Sequence, residues 1–333
     1  MSNELLEKVI STTSVGAGAG GLLNAEQSNR FIDYMWDATT LANEGRVIRM
    51  RSNTVDLDKV SVGQRITRLA TESVDDSINT EATFTKISLT TKKLRLDWEL
   101  SSEALEDNIE GAALEDHIAR LMATQFGNDV EDLAINGDTT SADPLLKAFD
   151  GFKKISLAGG HVVDGANLKL SDDTSGGGKV LLSKAIKAMP RKYMQRRNEL
   201  RFYTGVNLQQ DYINGLTNVY SGRGNPPDIA SGVIRGDVTA ANGSAGATVP
   251  FAYGIPLKEV PLFNETLGAS ANQGYIELTF PQNRVWGIKR DVQVHRNFSP
   301  KKDAIEYTVF VRTGVQIENP DAVVYVKDVQ VTS

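Results

Sequence analysis

The sequence predicts an α+β protein with two lobes. Residues 83–100 alternate apolar and polar side chains at period two, and residues 114–133 then repeat their apolar positions every three or four, so a strand run feeds straight into a long helix. Strand-like runs dominate again from Arg284 to Val331. The chain has 333 residues, above the size at which one hydrophobic core usually stops growing.

The elements follow in order. Leu5, Leu6, Val9 and Ile10 make a short helical pattern, followed by the small, glycine-rich residues 11–21. Residues 24–43 read as a helix capped by Asn24, with Glu26 in the first turn and Phe31, Tyr34, Met35 and Leu41 on one face. Residues 47–53 and 55–69 read as strands, the second with Val60, Val62 and Ile66 among Lys59, Arg65 and Arg68. Residues 70–79 are polar and acidic and separate this run from the next, which predicts a long hairpin whose tip carries Glu72, Asp75, Asp76 and Glu81. A two-stranded ribbon alone is only marginally stable in water and needs a surface to lie on.

In the following strand run Ile87 and Leu89, then Leu94, Leu96, Trp98 and Leu100, recur at period two, with Lys93, Arg95, Asp97 and Glu99 pointing away from the second set. The helix after it presents Leu114, Ile118, Leu121, Met122, Phe126, Val130 and Leu133 as its packing face, with Asp129, Glu131 and Asp132 expected on a solvated one, and Asn136-Gly137-Asp138 stops it. Residues 144–152 form a candidate short helix, 172–178 a loop, and 179–189 a helix closed by Pro190. A basic patch follows at Arg191, Lys192, Arg196, Arg197 and Arg201, then a strand at 200–204, a helix at 208–216 and a loop-rich stretch at 220–247. The remainder reads as strands: 253–261, 274–280, 284–288, 292–295, 304–317 and 322–331.

Composition narrows the function classes. The absence of cysteine removes disulfides, thiolate catalysis and cysteine metal sites, and suits a reducing cytoplasm. A net charge of −6 argues against a protein that grips nucleic acid by its phosphates. No apolar run approaches the ~20 residues of a membrane helix, and Glu4, Glu7 and Lys8 at the N-terminus do not fit a signal peptide. His117, His161 and His295 lie at no metal-ligand spacing. Glycine phrases at 16–21 and 176–178 lack the Gly-Lys-Ser/Thr ending of a phosphate loop, and there is no Gly-x-Ser-x-Gly elbow. A carboxylate-dependent hydrolase using Glu115, Asp116, Asp129, Glu131 and Asp132 would need facing carboxylates across a cleft; no catalytic, cofactor or metal residue is expected.

The phrases LRLDWELSSEALED at 94–107 and EDLAINGD at 131–138 resemble the tailed-phage major capsid proteins of the Hong Kong 97 type, in which a protruding hairpin, the E-loop, leads into a spine helix. Tyr253-Gly254-Ile255-Pro256-Leu257, Val260-Pro261-Leu262 and VFVRTGVQIENPDAVV at 309–324 extend the resemblance from about Arg46 onward. It implies an N-terminal arm with helix at 1–54, an E-loop ribbon at 55–100, a peripheral domain at 101–177 and 284–318, and an axial domain at 178–283 and 319–333. It implies a shell protein that self-assembles into hexamers and pentamers around phage double-stranded DNA, without sequence-specific binding, cofactor or membrane. A portal protein, and a separate scaffold or decoration protein, are the other partners, with assembly in the host cytoplasm. An encapsulin-like nanocompartment shell is the alternative.

The resemblance also places the ribbon tip, with Glu72, Asp75, Asp76 and Glu81, over a neighbouring subunit, where the basic residues Lys289, Arg290, Arg296, Lys301 and Lys302 are expected to face it. No covalent cross-link is expected, because the ribbon lysines Lys86, Lys92 and Lys93 flank its base.

Overall fold

A computed structural model describes residues 21–22, 41, 43–61, 83–103, 113–171, 177–221, 251–265, 273–289 and 293–332. The predicted helix at 24–43, apart from its last turn, and the ribbon tip lie outside the described residues.

The first sheet has six strands. They are β1 (Gly21–Leu22), β2 (Arg46–Met50), β5 (Lys92–Ser101), β11 (Arg284–Lys289), β12 (Gln293–Ser299) and β13 (Ala304–Ile317). The organising strand is β13. One edge pairs along its length with β5, from Ala304↔Ser101 to Thr313↔Lys92. β11 and β12 follow each other along β13, both antiparallel to it. The register against β13 differs by two residues between β11 (284 with 317) and β12 (293 with 310). β2 adds to β11 in parallel, and β1 adds to β12.

The predicted strand run at 83–100 divides at Thr91. β3 (Thr54–Ser61) and β4 (Thr83–Thr90) make a separate two-stranded ribbon. The Thr91 N–H donates to Asn53 O at 2.8 Å, which closes the base of that ribbon. Beyond it β5 belongs to the six-stranded sheet, not to the ribbon as its alternation suggested.

The second sheet also has six strands, in the order β6-β14-β10-β7-β9-β8. These are β6 (His161–Asp164), β7 (Arg201–Thr204), β8 (Phe251–Ala252), β9 (Ile255–Glu259), β10 (Gln273–Thr279) and β14 (Val323–Gln330). Its alternation serves two cores. Phe202, Ile276, Leu278, Val324 and Val326 face one side, against α3 (Gly177–Ala188) and α5 (Val206–Ser221), with α4 (Arg191–Met194) at its margin. Tyr203, Tyr275, Val323 and Tyr325 face the other, against α1 (Ala113–Asn136) and Phe152 of α2 (Phe152–Gly159). The same core takes Leu94, Trp286, Val309, Val311 and Val315 from the first sheet. The long helix therefore packs in a core that both sheets share, and on the second sheet's side of it Phe263 stacks on Tyr275 and Tyr275 on Tyr325, with centroids 4.6 and 5.1 Å apart.

The structure corrects the packing face of α1. Ala123, Phe126, Val130, Leu133, Ala134 and Ile135 are buried, whereas Leu121 is 55% exposed. Glu131 is also corrected: it is not on a solvated face but buried, and its Oε1 accepts the Leu41 N–H at 2.7 Å. A helix carboxylate thus anchors the chain entering β2. Helix α1 ends where Gly137 must pass close to neighbouring backbone, because a Cβ there would lie 2.4 Å from Leu133 O and 2.5 Å from Phe149 O.

One ion cluster fixes the α1–α2 connection. Lys154 Nζ donates to Asp138 Oδ1 and Asp150 Oδ1, each at 2.8 Å. Hydrogen bonds from Lys154 and then Thr140 hold Asp138 well below the usual carboxylate range. Burial pushes Asp150 up, but the bonds from Lys154 and Thr139 outweigh it and its net shift is also downward. Depressed carboxylates stabilise the fold above their unfolded pKa of about 3.9, and that contribution is lost as pH falls toward their folded values. Lys154→Met should therefore lower the urea midpoint at pH 7. The deficit should shrink as pH drops below about 4; a deficit that stays constant down to pH 2 would refute this origin.

Candidate functional site

The surface that sequence pointed to is the one around the ribbon and the first sheet. Among the described residues no group of three or more His, Cys, Asp or Glu side chains could hold a metal ion. No helix among them is long and apolar enough to cross a membrane. The acids Glu72, Asp75, Asp76 and Glu81 fall outside the described residues, as does Arg290.

The structure does not gather the remaining basic residues into one cluster. Lys301 and Lys302 lie in the turn between β12 and β13. Lys302 Nζ is already neutralised within the chain, 3.0 Å from both Glu99 Oε2 and Glu306 Oε1. Arg296 Nε donates to the Tyr307 hydroxyl at 3.1 Å. Lys289 is at the far end of the hairpin, roughly 30 Å from the turn at ~3.3 Å per residue. There its Nζ is 3.4 Å from Asn53 Oδ1.

Other cations sit where sequence reasoning did not look. Arg312 Nη1 donates to the same Asn53 Oδ1 at 2.8 Å. Lys93 is paired with Arg312 across the β5–β13 ladder and lies 3.7 Å above the Phe310 ring. Cross-strand neighbours could not be identified from sequence without the register.

A second cationic region is the predicted patch at 191–201. Lys192, Arg196 and Arg201 line a groove of about 500 Å³ with Tyr193, Phe280 and Asn319. Arg196 is paired with Glu199, and Lys192 lies 3.7 Å from Asp321. Both pairs are made within the chain. Exposed apolar side chains are spread over several elements, including Leu121, Phe251, Tyr253 and Phe298. At the β8–β9 turn both Tyr253 and Gly254 take positive φ, 54° and 79°, and aim two exposed aromatics outward from a tight hairpin.

The chain belongs to the phage capsid family, whose model matches residues 19–195, more than half of its length. It is thus a capsid shell protein of the virion, in a family that is structural. It is 27% identical over 329 residues to YqbE of Bacillus subtilis (strain 168), named for a prophage capsid, covering 97% of both chains. In fold it is similar to the capsid of an empty GTA particle, with a TM-score of 0.60 at 14% identity over 98% of this chain and 97% of that one. It is also similar to a chain of the satellite phage P4 procapsid, with a TM-score of 0.57 at 14% identity over 100% and 99%.

Proposed function

We propose that this is the major capsid subunit of a tailed phage or prophage, and that it self-assembles into hexamers and pentamers tiling an icosahedral shell around double-stranded DNA. The observation that carries the reading is the family match over residues 19–195. The ribbon of β3 and β4 supports it, since among the described residues these strands pair only with each other and such a ribbon gains stability from a neighbouring surface.

In this reading the fold is of the Hong Kong 97 type. The ribbon is the base of the E-loop, α1 is the spine helix, and residues 1–54 supply an N-terminal arm. The peripheral lobe is built around β13 and α1, and the axial lobe around α3, α5 and the second sheet. The acids Glu72, Asp75, Asp76 and Glu81 contact cations of an adjacent subunit. A portal protein and a separate scaffold or decoration protein complete the particle, assembled in the host cytoplasm. A net charge of −6 suits a wall along which packaged DNA must slide.

Electron microscopy of the chain expressed alone and in its phage tests this. Closed icosahedral shells, filled with DNA in the phage, are the expected result. Shells that enclose protein cargo and never DNA would overturn it in favour of a nanocompartment. The subunits are held without covalent links, so denatured particles should run as a single band at 36.2 kDa. A ladder of high-mass bands would refute that.

A further inference from the structure

One pair of antiparallel strands runs through both sheets. β10 leads into β11, and β13 leads into β14. On the second sheet the pairing ends at Thr279↔Val323, and on the first it begins at Arg284↔Ile317. Between these rungs four residues, 280–283, face five, 318–322. Unequal opposed lengths bend a strand pair and raise its twist, so this joint turns one sheet relative to the other. Each crossover is a short 3₁₀ turn that begins with a proline, Pro281–Asn283 and Pro320–Ala322. Proline has a fixed φ and no N–H, so ladder bonds cannot run straight through.

The side chain of Asn283 supplies rungs in their place. Asn283 is buried, and its Oδ1 accepts the Asn319 N–H at 2.8 Å while its Nδ2 donates to Asn319 O at 3.0 Å. Its amide thus pairs with the Asn319 backbone as a neighbouring strand would. Nδ2 also donates to Thr279 Oγ1 at 3.2 Å, and that hydroxyl donates to Ala322 O at 3.3 Å. Both amide N–H groups and the amide oxygen are therefore used. Asn283 O accepts the Glu318 N–H at 3.0 Å. From α4 the Tyr193 hydroxyl accepts Asn319 Nδ2 at 2.5 Å and ties the joint to the second sheet's helices.

We infer that Asn283 is a positioning residue that holds the two lobes at one angle, and through that angle sets the curvature at which neighbouring subunits meet. The inference rests on the self-assembly reading above and names the residue that fixes its geometry. Hydrogen bonds are directional, whereas an apolar side chain of similar size would fill the same space at many angles. Whether contacts between copies close or run on as open arrays depends on the rotation from one copy to the next. A subunit whose lobes vary in angle would vary that rotation.

The test reads the angle directly. The chain has no cysteine, so Asn297→Cys on β12 and Lys187→Cys on α3, both exposed, place one spin label on each lobe. Pulsed electron paramagnetic resonance of unassembled full-length subunits gives the distance between the labels, and electron microscopy gives the diameter of assembled particles. Asn283→Leu keeps the volume and removes every amide bond. Tyr193→Phe removes one hydroxyl from a half-buried ring and should leave the melting temperature unchanged. Wild type should show one narrow distance. Asn283→Leu should show a distribution roughly twofold broader, as a joint freed to sample several angles would, and particles of mixed diameter or open sheets. Tyr193→Phe should move both readouts the same way by less. A role in stability alone would lower the folded fraction and leave distance and diameter of the folded molecules as in wild type, which would overturn the inference. Broadened distances with particles of wild-type diameter would overturn its link to curvature. If Asn283→Leu does not fold, Tyr193→Phe decides, and a wild-type distribution there overturns the inference. Wild-type protein that never closes into shells would overturn the shell reading, while distances that broaden in the variants would still uphold the joint.

Discussion

Arg284→Met is expected to cost about 3–5 kcal/mol of subunit stability. Arg284 is only 2% exposed, and its Nη2 lies 2.5 Å from Glu277 Oε2, equally buried. The guanidinium also stacks 3.8 Å from the Tyr203 ring centroid, while Glu277 Oε1 accepts the Ser156 hydroxyl at 2.8 Å. Removing the cation strands a carboxylate inside the protein, where it must either stay charged without a partner or take up a proton. Since a domain's whole stability is about 5–15 kcal/mol, much of the variant should be unfolded or insoluble. Adding Glu277→Leu should recover most of the loss, because a buried pair replaced by apolar groups of similar volume is often neutral. Urea midpoints of the wild type and both variants measure this. A single variant within about 1 kcal/mol of wild type would show that water reaches the pair.

Leu133→Asp should be as severe, and Leu121→Asp should not. Leu133 is fully buried between the two sheets, and a charge there has no partner, so several kcal/mol are lost. Leu121 is 55% exposed on the same helix, and its substitution should stay within about 0.5 kcal/mol. Soluble expression and thermal melting of the two variants provide the comparison. Insoluble Leu121→Asp with soluble Leu133→Asp would reverse the assigned packing face.

Both substitutions lie on residues that look equivalent in sequence. Leu121 and Leu133 fall on one helical apolar stripe, and periodicity reports that stripe without saying what covers it. The C-terminal half of α1 is enclosed so fully that three successive residues, Leu133, Ala134 and Ile135, are buried. The N-terminal half has no such cover at Leu121. Glu131 was equally illegible. A carboxylate beside an apolar stripe normally faces water, and the N–H that it accepts belongs to Leu41, 90 residues earlier. The grouping of Lys93, Lys289 and Arg312 was invisible for the same reason, as it exists only once three strands are in register.

The sequence by itself determined the element order, the long helix ending at Gly137, the cysteine-free chemistry and, through its phrases, the capsid family. Those signals are local: propensity, periodicity and caps act within a few residues of one another. Only the tertiary structure decided where the strand run at 83–100 changes partners, which half of α1 is core and which cations stand together. Period two holds on both sides of Thr91, with the apolar phase displaced by one residue between Leu89 and Leu94, and it does not name partners: β4 pairs with β3 and β5 with β13, more than 200 residues further on. Pairing is set by long-range closure and by the surfaces that it buries, so a one-dimensional pattern allows several partners and the packed chain keeps one.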